Sequence, residues 1–116
     1  MDIYYIYCDL KPGISDSQFA DRLGAYLGSL KTDGLIEGWR LTRRKLGLGA
    51  PIFGEFHIMI ELTGLAQLDQ AFGRVAARSE PIEGLHFAVN SLVRNAQFAL
   101  YRDFPDPVRK RGEERF

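Results

Sequence analysis

The chain has 116 residues, 46% hydrophobic and 26% charged, a composition that supports one buried core and is too short for a second. Lys plus Arg and Asp plus Glu each total 15, so no overall field draws the protein to nucleic acid or to an anionic membrane, and neither partner is expected. The single cysteine, Cys8, excludes an intramolecular disulfide framework and a multi-cysteine zinc site and fits a reducing compartment, which points to the cytoplasm.

Residues 2 to 10 are dense in Ile and Tyr and stop at Lys11-Pro12-Gly13, so they read as a first strand ended by a turn. Their start lacks the basic and long apolar stretches of a secretory signal, and no apolar run approaches the roughly 20 residues that span a bilayer. Ser15 then offers an N-cap with Gln18 as its capping-box partner, and Ile14 is placed to staple against Phe19. Phe19, Leu23, Tyr26, Leu27 and Leu30 recur at helical spacing, and Gly34 suits the helix stop.

Residues 35 to 46 mix bulky and charged side chains as a half-buried strand would, residues 47 to 54 hold three glycines and a proline and read as a hairpin loop, and residues 55 to 62 alternate with period two. Thr63-Gly64 opens a second helix carrying Leu65, Leu68, Phe72 and Val75, interrupted at Ser79-Glu80-Pro81 and expected to end near Arg78. Residues 84 to 94 read as a further helical turn or two, with a strand as the competing reading, and residues 96 to 104 as the last strand. Pro105 and Pro107 end regular structure, dividing the chain into a domain at 1 to 104 and a charged tail at 105 to 116. With Phe104 and Phe116 as anchors, that tail is expected either to cross to a partner subunit or to stay unstructured.

The order βαββαβ with right-handed crossovers gives an α+β, ferredoxin-like fold: a four-stranded antiparallel sheet with helices on one face. In the third strand Phe56, Ile58, Ile60 and Leu62 would point to the helices and Glu55, His57, Met59 and Glu61 away from them. The first strand carries apolar mass on both sides, so the second sheet face also asks for a cover.

The strands MDIYYIYCDL, EFHIMIEL and AQFALYRDF, with EGWRLTRRKLGLG and LHFAVNSLVRN between them, resemble the dimeric α+β barrel superfamily. They look more particularly like a bacterial family within it that has no established chemistry. The resemblance covers residues 2 to 104 and implies a homodimer formed through the non-helical sheet face. The superfamily holds cofactor-free monooxygenases, haem-degrading enzymes, isomerases and non-catalytic proteins, so it assigns no reaction. No relative's catalytic motif matches here, and no residue role is carried over.

Strand pairing would gather His57, Tyr5, Tyr7, Glu55, Glu61 and either Arg40 and Arg44 or Arg43 on the second face. His57 would serve there as a base and Arg40 or Arg44 would orient an oxyanion; the competing reading is a buried dimer face with satisfied polar groups. His86 and Asn90, four apart on a helix, would share one side and face a cavity between helix and sheet, or else make a cap or core contact. The run RLTRRK lacks interleaved aromatics and reads as a solvated strand. The glycine loop is neither a phosphate loop nor a dinucleotide fingerprint, although its glycines would let it act as a lid. Cys8 reads as inert packing, and neither a metal site nor a cofactor is expected. The leading expectation is a homodimer binding a small organic molecule between sheet and helices. The alternatives are a cofactor-independent monooxygenase or isomerase, and a structural or regulatory dimer.

Overall fold

The first strand, β1 (Asp2–Leu10), is centred on the run Ile3–Tyr7 of Ile and Tyr, and the turn that follows it has Gly13 at the positive φ of 82° that it requires. A computed structural model describes residues 1–105 of the chain; the expected tail anchor Phe116 and the tail from Asp106 onward lie outside the described residues. Helix α1 (Asp16–Thr32) begins at Ser15, whose hydroxyl accepts the Gln18 N–H at 3.3 Å. Asp16 in its first turn and Lys31 in its last complement the helix dipole, and Gly34, at φ 72°, turns the chain away. Phe19, Leu23, Leu27 and Leu30 form its buried stripe.

Strand β2 (Gly38–Arg43) is shorter than the twelve-residue stretch the sequence suggests. Leu35 still bonds back to the Leu30 carbonyl and Arg44 already belongs to the hairpin loop. Strand β3 (Phe56–Leu62) follows, then α2 (Leu65–Ala76), α3 (Ile82–Asn90) and β4 (Val93–Arg102). The segment at 84 to 94 is thus helical over most of its length, and the last strand starts three residues before Ala96. That early start depends on a bulge: the β1–β4 register shifts between Tyr7 and Asp9, Asn95 adopts φ 55°, and Val93 still pairs with Leu10.

The sheet order is β2-β3-β1-β4 with every neighbouring pair antiparallel, the ferredoxin-like arrangement. Even-numbered residues of β1 and β3 face the helices, so Cys8, Phe56, Ile58, Ile60 and Leu62 join the α1 stripe, Ile82, Val89 and Leu92 in one core. Asp2 shares that side at 2% exposure and is held by two hydrogen bonds from Arg102, 2.6 Å from Nε and 2.9 Å from an Nη. Two charge-assisted bonds compensate the buried carboxylate and pull its pKa down. No helix among the described residues is long and apolar enough to cross a membrane.

Candidate functional site

Odd-numbered residues of β1 and β3 build the open face of the sheet. Tyr7 lies directly across from His57, and cross-strand neighbours at this spacing bring their rings together. The imidazole stacks 4.4 Å from the Tyr7 ring with planes 2° apart, and 5.2 Å from Tyr5 at 13°. Phe53 from the hairpin loop stacks on Tyr7 at 4.5 Å, and Tyr101 from β4 meets Tyr5 edge-on at 5.4 Å. Five rings thus form a ladder across the sheet. Nε2 of His57 is buried in it without a hydrogen-bond partner, and burial lowers the imidazole pKa below its ordinary value.

The charged groups expected beside His57 are dispersed. Arg40 is on this face but opposite Met59, and Glu61 lies opposite Ile3 and Gly38. Glu61 is four positions on from His57, roughly 13 Å along a strand. Arg43, whose register puts it on the helix side, donates to Glu55 at 2.8 Å and to Asp16 at 3.0 Å and covers the Phe56 ring. Arg44 donates to the carbonyls of Ala50 and Phe53, satisfying a loop whose own backbone has few partners. Glu55 and Arg44 therefore fasten the β2–β3 hairpin and do not join the imidazole. The same hairpin lies so close to β1 that a Cβ on Gly54 would sit 2.3 Å from the Cys8 backbone.

The helix side differs. A cavity of about 220 Å³ separates β1, β3 and β4 from the three helices. Its walls are mainly Leu, Ile, Val and Ala, into which Tyr4, Tyr26, His86 and Asn90 bring polar atoms. Tyr26 on α1 and His86 on α3 lie with ring centroids 5.4 Å apart. Burial pushes the Tyr26 phenol up to about 12, with a smaller contribution from the nearby Tyr4, whose own pKa burial also raises. Both phenols are thus held as neutral donors. Among the described residues no hydrogen bond engages the side chains of Tyr4, Tyr26, His86 or Asn90. Phe72 and Phe98, 49% and 61% exposed, pack on either side of Tyr4 and mark where the cavity meets solvent. Cys8 also lines the wall, its thiol raised to about 11 by burial and the adjacent Asp9 charge, which keeps it unreactive.

His86 and Asn90 thus line this cavity, whereas His57, Tyr5, Tyr7 and Arg40 do not. No three His, Cys, Asp or Glu side chains among the described residues gather as a metal site would require.

Residues 1–116 match a single protein family. The chain belongs to the family of unknown function DUF6614. No curated protein matches the sequence. Among solved structures, the DUF6614 chain is similar to At3g17210 from Arabidopsis thaliana, with a TM-score of 0.70, 8% identity and coverage of 89% of this chain and 95% of that one. It is also similar to a mutant of SnoaB, a cofactor-independent oxygenase from Streptomyces nogalater, with a TM-score of 0.65, 7% identity and coverage of 93% and 98%. A dimeric ferredoxin-like protein of unknown function from Thermobifida fusca gives a TM-score of 0.58 at 14% identity, covering 87% and 90%. These likenesses establish the ferredoxin-like fold for this member of DUF6614.

Sequence reasoning overlooked Tyr4 and Tyr26 in the DUF6614 chain. Periodicity counts both as apolar members of a core stripe, and the signal that separates them is a hydroxyl that a packed core must hydrogen-bond.

Proposed function

We infer that this protein binds a small, mostly apolar organic molecule with one hydrogen-bonding head in the cavity between sheet and helices, and that two copies pair through the open sheet face. The observation that carries the first part is that Tyr4, Tyr26, His86 and Asn90, whose side chains make no hydrogen bond to any described residue, line an otherwise apolar cavity of about 220 Å³. A few convergent polar groups in an otherwise apolar recess fix the orientation of a small ligand, and these four have donor and acceptor capacity left for its head. The volume falls below the roughly 300–1,000 Å³ of sites for drug-sized ligands, which favours a molecule of one or two rings. The aromatic rim of Phe72 and Phe98 suits a planar body.

Support for pairing comes from the open face. Tyr101 is 64% exposed there beside the ring ladder, and the similar protein from Thermobifida fusca is described as dimeric. The open face is then an association surface with His57 inside it.

Calorimetric titration with 2-naphthol tests the binding reading, with Ala71→Leu as the comparison because Ala71 is buried in the cavity wall. Saturable binding to the wild type that weakens at least tenfold in the variant is expected. No binding to the wild type, or equal binding to both, would reject the cavity and leave a purely structural or regulatory dimer.

A further inference from the structure

Within the cavity the polar groups differ in chemistry. His86 presents an imidazole with no hydrogen bond to any described residue, next to the Tyr26 ring across the α1–α3 contact. Tyr26 presents a phenol that stays protonated through the neutral range. Tyr4 brings a second phenol from β1 into the same space, and the remaining walls are apolar. Hydrogen bonds in such a low-dielectric site are stronger than in water, and a donor fixed before reaction needs no reorganisation when charge develops.

We propose that this cavity enolises a small carbonyl compound, with His86 as the base and Tyr26 as the donor to the developing oxyanion. The proposal rests on the binding reading above and names the substrate class and the chemistry of that same site. A ring nitrogen of His86 takes a proton from the carbon next to the carbonyl. The electron pair of the broken C–H bond becomes the C=C bond of the enolate, and the carbonyl π pair moves onto oxygen, where the Tyr26 hydroxyl donates to it. The imidazolium then returns the proton, either to the same carbon or, in a conjugated substrate, to the vinylogous carbon, which yields the double-bond isomer. The base is regenerated, and the step uses no oxidant or reductant. Tyr4 stands as the second donor to the same oxygen. Its ring is fixed between Phe72 and Phe98, which gives the substrate's ring a stacking wall while its oxygen faces the phenols.

The test uses 2-tetralone, whose enolate has the shape of 2-naphtholate, and follows exchange of its C1 protons with solvent deuterium by proton NMR. Exchange about 100-fold above the buffer background is expected with the wild type, the scale of one positioned base. His86→Gln should return the rate to background, and Tyr26→Phe should slow exchange at least tenfold with its ring retained. Thermal melts of both variants show whether they fold. Wild-type protein that binds 2-naphthol but gives background exchange overturns enolisation and leaves the binding reading standing. Exchange that persists in a folded His86→Gln variant overturns the assignment of the base. Failure to bind 2-naphthol overturns both readings.

Discussion

On the open face of the sheet, aromatic side chains fill the space between one another, whereas on the helix face they stop short and leave a cavity. Both faces draw on the same strand. Tyr5 and Tyr7 meet His57 across one pair of strands, at a spacing that stacked rings occupy fully. Tyr4 points instead into the layer between sheet and helices, where Ala71, Val89 and Ala96 are too short to close the gap. Alternation along β1 therefore gives one chain two unlike surfaces. One is an aromatic ladder, and the other a recess lined by polar side chains that make no hydrogen bond to any described residue.

Substitutions should separate the two faces. The largest effect is expected from Leu62→Ala, because Leu62 is fully buried on the helix side. It should cost about 2–5 kcal/mol in urea unfolding. Tyr5→Asp puts a charge in the middle of the ring ladder and should weaken self-association at least tenfold, about 1.4 kcal/mol. Sedimentation velocity reads this change, and the variant should still bind 2-naphthol. If Tyr5→Asp abolished naphthol binding instead, the two faces would not be independent.

Asp2→Asn comes next, at about 1 kcal/mol, since the carboxylate is buried but its partner Arg102 is 45% exposed. Arg102 holds the Asp2 pKa below its ordinary value. The stability this pair contributes is therefore complete above about pH 4 and is lost as pH falls through the lowered folded value. Unfolding at pH 7 and pH 3 should show a smaller difference for Asp2→Asn than for the wild type.

The smallest effect belongs to His57. Burial lowers its folded pKa, so the unfolded chain takes up a proton first as pH drops below about 6.5. Stability present above that pH should decline until the folded imidazole is itself protonated. His57→Phe, which keeps a ring in the ladder, should flatten that part of the profile. An unchanged profile would mean that His57 is not the titrating group.

Much of this arrangement is legible in the sequence. EFHIMIEL alternates because one side of β3 is core and the other is not, and Ser15, Gln18 and Gly34 mark the ends of α1 by their hydrogen bonding and conformation. The ferredoxin-like order follows from these elements. The start of β4 is hidden because a bulge at Asn95 is a matter of register between strands and leaves no periodic trace. The hairpin contacts of Arg44 and Glu55 were not legible, because spacing shows which face a strand residue takes but not whether a nearby loop carbonyl or guanidinium will engage it. Tyr4 and Tyr26 escaped for the opposite reason, since hydrophobic periodicity ignores the hydroxyl that matters in a cavity. His86 and Asn90 were readable as a pair on one helical face. That the cavity beside them is left unfilled depends on small side chains from three separate elements.

The most direct test of the contrast between the faces is a 2-naphthol titration of ¹⁵N-labelled protein followed by amide chemical shifts. Saturating shifts at Tyr26, Ala71, His86 and Asn90, with Tyr5, His57 and Tyr101 unmoved, are the predicted result. Shifts concentrated along the Tyr5–His57–Tyr101 ladder, or none on either face, would contradict it.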